Sequence, residues 1–325
     1  MSELNYPNPI DTVLTHSLGL LKYLKLSENL EGKSLLIKDR IISLFKLNDD
    51  KEVCDFLNLT INKDHKKFDI PKATVVIYDF SGARKENIAF EGSHYFHQLS
   101  IAIKILKKEE CKCVYYFSYN KSKNKTVFYK PFDSIEDDRM GSLGYKTFLK
   151  TEADLSNLNI IFKNLTNLPI DNGFNYNPLL NAVSYTDRAQ DTAWIIMKIT
   201  LFFIALESLF STDKTEIAYK LSLRTASFLY PDDKEKKCRV FTVLKIGYDL
   251  RSKFLHGSKT ELEKLGKKLN KGDGKEYSVF FDFPSELNSI VCDVLNKILI
   301  DDVLVEIFSK RSAEEISKYL DKIVL

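Results

Sequence analysis

Ile246-Gly-Tyr-Asp-Leu-Arg-Ser-Lys-Phe-Leu-His-Gly257 reads as the closing turns of a helix, with Gly257 standing where a left-handed C-cap belongs. Within it, Arg251 and His256 are separated by four residues. An arginine brings a permanent cation and a histidine brings a group that titrates near neutral pH. Phosphodiester cleavage draws on both. At 100° per residue, Asp249, Ser252, Lys253 and His256 share a polar arc, opposite an apolar arc of Val240, Leu244, Gly247, Leu250, Phe254 and Leu255. Arg251 falls in the middle of the apolar arc. A guanidinium is seldom buried alone, so Arg251 must face a carboxylate, a subunit interface or a ligand.

Working outward, the same oddity appears twice more. Arg224 lies on the stripe Ile217, Leu221, Arg224, Phe228, and Glu207 interrupts an otherwise apolar helix, Trp194-Ile-Ile-Met-Lys-Ile-Thr-Leu-Phe-Phe-Ile-Ala-Leu206. Three charges thus point into one small bundle. The plain account is a buried Glu207–arginine ion pair that keeps helices in register. His256 has a plain account too, since a helix C-terminus favours a nearby cation by about 0.3–1 kcal/mol.

Helical patterning covers most of the second half, at residues 188–210, 216–230, 234–256, 285–308 and 313–323, with an irregular insert over 260–283. The first sixty residues also read as mostly helical, from the spacing of Ile37, Ile41, Leu44 and Phe45 and of Val53, Phe56 and Leu57. Residues 73–80 are rich in β-branched and aromatic types and read as a strand. A helix is expected over 94–108, then a hairpin with arms 113–119 and 126–132. Turn formers cluster at 172–178, the best candidate boundary. The expected architecture is an α+β N-terminal region over 1–180 followed by an all-α bundle over 185–325.

Composition bounds the function classes. The chain has 325 residues, 44% of them hydrophobic, and 48 basic against 45 acidic residues leave a net charge of +3. No polybasic arm exists, so a nucleic-acid site must be a local patch. The five cysteines are scattered without zinc-type spacing, which argues against a metal site or a disulfide framework. His94 and His97 lie on one expected helix face and read as exposed polar residues. The N-terminus does not resemble a signal peptide, and the longest apolar run, 193–206, is short for a membrane span. The expectation is a cytoplasmic protein with no membrane partner and no cofactor.

Phe203-Ile-Ala-Leu-Glu-Ser-Leu-Phe210, Lys220-Leu-Ser-Leu-Arg-Thr-Ala-Ser-Phe-Leu229 and Tyr248-Asp-Leu-Arg-Ser-Lys-Phe-Leu-His-Gly257, in that order, resemble an Apea-like HEPN domain over roughly 185–310. The resemblance implies a small helical bundle and a metal-independent endoribonuclease of the toxin or abortive-infection, antiviral type. It implies that Arg251 and His256 are catalytic, with Glu207, Arg224, Asp249, Ser252 and Lys253 in support. Catalytic HEPN proteins often carry Asn, Asp or His after the arginine, where this chain has Ser252. Positions five apart on a helix are about 140° out of phase. A homodimer that brings two such helices to one cleft is therefore expected, with RNA as substrate and an antitoxin or sensor as possible partner. The alternative is a non-catalytic HEPN module that dimerises or binds nucleic acid. A third reading places the chemistry in the N-terminal half, which lacks a phosphate loop and a nucleophile elbow.

Overall fold

The computed structural model describes residues 16–22, 24–30, 34–37, 40–46, 74–79, 88–109, 111–120, 125–131, 147–168, 177–211, 216–256, 262–269 and 278–324. The chain divides into two compact units, Met1–Thr166 and Asn167–Leu325.

In the first unit the backbone follows, among the described residues, eight strands: β1 (His16–Lys22), β2 (Leu24–Leu26), β3 (Ser34–Ile37), β4 (Arg40–Lys46), β5 (Thr74–Asp79), β6 (Lys112–Asn120), β7 (Lys125–Pro131) and β8 (Thr147–Leu149). Six run antiparallel in the order β3-β4-β5-β1-β6-β7. The helix expected around Ile37, Ile41, Leu44 and Phe45 is corrected, because Leu35 pairs with Ile42 and Leu36 with Ile41 across a tight hairpin. Two adjacent β-branched residues, Ile41 and Ile42, favour the extended chain that the i, i+4 spacing had concealed. Val53, Phe56 and Leu57 lie outside the described residues.

Side-chain packing in this unit is described between helices α1 (Ile88–Lys107) and α2 (Glu152–Asn167). Phe96, Leu99 and Ile103 are fully buried on α1, as are Leu158, Ile161 and Phe162 on α2. Tyr95 meets Phe162 edge to face at 6.5 Å, and Lys107 donates to Asp154 at 2.6 Å. The part of the chain described through to its side chains is 84% helical and holds no sheet. On that ground the expected class, an α+β region leading into a bundle, is corrected to all-α for the part described through to its side chains. Where side chains lock together, helix ridges do the locking.

The second unit contains eight helices among the described residues: α3 (Pro178–Asp191), α4 (Ile195–Phe210), α5 (Ile217–Leu229), α6 (Lys234–Leu255), α7 (Leu262–Leu269), α8 (Asp282–Leu299), α9 (Asp302–Lys310) and α10 (Ala313–Val324). Two helices read as continuous are broken by caps. Extended backbone at Thr192 and Trp194 separates α3 from α4, with the Thr192 hydroxyl bonded back to the Arg188 carbonyl at 2.8 Å. Asp301 separates α8 from α9, its carboxylate accepting from the amides of Val303 at 2.8 Å and Leu304 at 3.2 Å. The insert expected to be irregular contains α7. The core gathers Phe202, Phe203, Phe210, Phe228, Phe283 and Phe308, each at most 2% exposed. Phe210, Phe228 and Phe308 meet one another edge to face at 5.6–6.1 Å. Truncating one of these rings to alanine costs about 3–5 kcal/mol.

Candidate functional site

Close approach of the helices begins at Gly247. A Cβ there would collide with the rings of Phe283 on α8 and Phe203 on α4, so only glycine lets α6 settle this deeply. Phe203 in turn stands edge-on to Tyr248 at 5.7 Å, fixing the tyrosine ring one turn before Arg251. The Arg251 guanidinium sits over that ring at 5.4 Å, and its Nη1 donates to Glu207 Oε1 of α4 at 2.6 Å. The side chains of Arg251 and Glu207 are 15% and 23% exposed. The partner required by the position of Arg251 in an apolar arc is therefore Glu207.

The arginine is not fully spent. Its Nε is buried without a hydrogen-bond partner. One donor of its fork is thus left unused inside the fold, while the side chain as a whole is 15% exposed. Tyr248 shows what this surrounding does to charge. Burial pushes its phenol above the usual range, the Glu207 carboxylate pushes the same way, and Arg251 opposes both. Tyr248 therefore stays neutral through ordinary pH and serves Arg251 as an aromatic floor. The sequence signal was present, three residues before the arginine on the same face.

His256 is the C-cap of α6, with its backbone N–H on the Ser252 carbonyl at 3.1 Å. Its side chain is exposed and forms no hydrogen bond or ion pair with any described residue. Arg251 and His256 thus occupy different surroundings on one helix, the first anchored inward and the second presented outward. Gly257 lies outside the described residues. Asp249 and Lys253 pair with each other at 2.8 Å on the exposed face, and Ser252 is half-buried beside them.

Arg224 belongs elsewhere. It is 4% exposed, donates to the Phe210 carbonyl at 3.0 Å, and reaches Ser317 at 3.3 Å and Asp321 at 2.7 Å on α10. Of the two arginines weighed as partners of Glu207, Arg251 takes the carboxylate and Arg224 clamps the terminal helix. A further clamp went unnoticed in the sequence. Arg239 grips Glu286 through both carboxylate oxygens at 2.8 and 2.6 Å and donates to the Leu269 carbonyl at 2.7 Å, joining α6, α7 and α8. Lying in the charged run Lys234-Glu-Lys-Lys-Cys-Arg239, it carried no mark separating it from solvated neighbours.

Large apolar side chains lie exposed around this end of α6. Phe254 and Leu255, the i+3 and i+4 neighbours of Arg251, are 38% and 56% exposed. Trp194, 59% exposed, stands edge-on to Phe254 at 6.1 Å.

His97 is exposed, and the side chain of His94 lies outside those described. Among the described residues no group of three or more His, Cys, Asp or Glu is placed to hold a metal ion, and no helix is long and apolar enough to cross a membrane. No family model matches the chain, and neither the curated proteins nor the solved structures contain a match to it.

Proposed function

We propose that the second unit is a metal-independent endoribonuclease of HEPN type acting as a toxin or abortive-infection effector in the cytoplasm. The observation that carries this reading is the half-spent guanidinium of Arg251. It is held by Glu207, floored by Tyr248 and left with a buried, unpartnered Nε, about one and a half helical turns from the outward-facing His256.

In the proposed reaction the RNA 2′-hydroxyl attacks its adjacent phosphate, which restricts cleavage to RNA. The imidazole of His256 takes or returns the proton, the role for which histidine is suited near neutral pH. Arg251 directs its remaining donors at the phosphoryl oxygens and offsets the charge that develops there. The products are a 2′,3′-cyclic phosphate and a 5′-hydroxyl. Because the two groups leave the helix on different arcs, a homodimer supplies Arg251 and His256 to one cleft from two copies.

The test is cleavage of single-stranded RNA by the purified full chain with EDTA present, beside Arg251→Ala and His256→Ala. Activity confined to the unaltered chain supports the proposal, whereas cleavage that survives His256→Ala or vanishes with EDTA rejects it. One observation favours the alternative of a non-catalytic scaffold that dimerises or binds nucleic acid. Arg251 already has a carboxylate partner, as a purely structural arginine would.

A further inference from the structure

We infer that α10 is a latch: docked, it holds the last turn of α4, and with it the Glu207 carboxylate that anchors Arg251. This goes beyond the proposed function and does not rest on it. Two separate routes lead from α10 to Phe210, the residue that ends α4. Along the first, Asp321 and Ser317 of α10 accept from Arg224 at 2.7 and 3.3 Å, and the same guanidinium donates to the Phe210 carbonyl at 3.0 Å. Along the second, Tyr319 of α10 meets Phe308 edge to face at 6.1 Å, and Phe308 meets the Phe210 ring at 6.1 Å. One route grips the backbone of Phe210 and the other its side chain.

Glu207 belongs to that same turn. Its backbone carbonyl accepts the Ser211 amide at 3.0 Å, while its Oε1 accepts from Arg251 Nη1 at 2.6 Å. Helix ends open most readily, because their final carbonyls have no partner within the helix. Arg224 supplies a partner for one of these, the Phe210 carbonyl. A last turn that opens carries the Glu207 carboxylate with it, so Arg224 is a positioning residue for Arg251.

The build of α10 suits an element that docks and releases as a unit. It is 12 residues long, short enough to be marginal as a helix in water unless it is packed. A capping box gives it its own start: the Ser312 amide donates to the Glu315 carboxylate at 3.0 Å, and the Glu315 amide to the Ser312 hydroxyl at 3.4 Å. Extended backbone at Arg311 separates it from α9. Ile316 and Leu320 are buried, whereas the Asp321 side chain is 61% exposed. Water therefore already competes for the carboxylate that closes the latch. Linkage is reciprocal: drawing α10 away slackens Arg251, and tightening the Arg251–Glu207 pair holds α10 down.

The test is amide hydrogen exchange and arginine side-chain NMR on the full chain. Asp321→Lys sets a cation against Arg224 without emptying the core. Glu314→Gln, on a carboxylate paired with Lys318 at 2.7 Å, is the control on the same helix. Asp321→Lys should speed exchange about tenfold in α10 and equally at the amides of Leu209, Phe210 and Ser211. Val243 and Leu244 of α6 should exchange as before. The Arg251 Nε–H resonance, identified by its loss in Arg251→Lys, should move in Asp321→Lys and stay in place in Glu314→Gln. Asp321→Asn, the milder change, should reproduce the pattern at about fivefold.

Faster exchange confined to α10, equal acceleration through every helix of the unit in Asp321→Asn, or an Arg251 resonance that ignores the state of α10 overturns the inference. Neither readout needs RNA. Failure of the nuclease reading therefore leaves the latch standing, and failure of the latch leaves the nuclease reading to its own test.

Discussion

Arg224 and Arg251 occupy the same bundle, lie on apolar helix faces and pair with carboxylates, yet their surroundings differ in kind. Arg224 is enclosed by protein acceptors: a backbone carbonyl, a hydroxyl and a carboxylate, spanning α5, the end of α4 and α10. Arg251 has one carboxylate oxygen, an aromatic floor and a buried nitrogen with nothing to bind. The first guanidinium uses its donors to hold helices together. The second is held by a single carboxylate and lies near an exposed rim of Trp194, Phe254 and Leu255. A buried arginine is therefore not one category, and under the proposed nuclease reading the two would differ in how many donors the fold consumes.

The largest expected effect tests the second arginine. Arg251→Ala should lower RNA cleavage about 10²- to 10³-fold, the range seen when one donor to a developing negative charge is lost. Its melting temperature should move little, because Glu207 is still 23% exposed and can rehydrate. A collapse of stability equal to the loss of activity would erase the distinction between the two arginines. Arg224→Ala should do the opposite, costing about 2–4 kcal/mol through a cavity and an orphaned carbonyl. In a unit the size of Asn167–Leu325 that lowers the melting temperature by roughly 4–16 °C. A fully stable Arg224→Ala with reduced cleavage would place Arg224 in the site instead.

Gly247→Ala probes the packing that positions Arg251. The added methyl meets two phenylalanine rings, and overpacking of this kind costs about 1–3 kcal/mol. Because Phe203 also fixes Tyr248, cleavage should fall further than stability alone explains, which kinetics at a temperature well below melting would resolve. Asp321→Asn comes next, at about 1 kcal/mol by thermal melting. Its side chain is 61% exposed and Arg224 retains the Phe210 carbonyl, so the charge lost is a screened one.

Most of the bundle's helices and its misplaced charges could be read from periodicity, though most of α3 and all of α7 were not. Arg251, Arg224 and Glu207 each broke an apolar stripe, and a broken stripe is a local property of one helix. Which arginine meets which carboxylate is not local. The pairing depends on helices 44 residues apart for Arg251 and Glu207, and 97 apart for Arg224 and Asp321. Tyr248 was overlooked because an aromatic on an apolar arc looks like ordinary core until the cation above it is seen. The stretch from Ile37 to Phe45 failed for a different reason. A strand hairpin and a helix can both place isoleucines four apart, and the tie is settled by pairing across the hairpin. Two caps, Thr192 and Asp301, each divided what periodicity had joined, since a short cap leaves the apolar spacing on both sides nearly in phase.

The smallest effect concerns the outer face of the same helix. Asp249 and Lys253 stand four residues apart with side chains 57% and 47% exposed, joined at 2.8 Å. An exposed i, i+4 pair contributes about 0.3–0.5 kcal/mol and is screened further as salt rises. Asp249→Asn should therefore shift thermal melting by no more than that in low salt, with the difference vanishing near 1 M salt. Cleavage should stay within a few-fold of the unaltered chain, because the two residues pair with each other on the exposed face while Arg251 pairs with Glu207. A drop approaching that of Arg251→Ala would move this outer pair into the reacting cleft. Donor supply on the buried side of α6 would then no longer be what divides the residues that act from those that only hold.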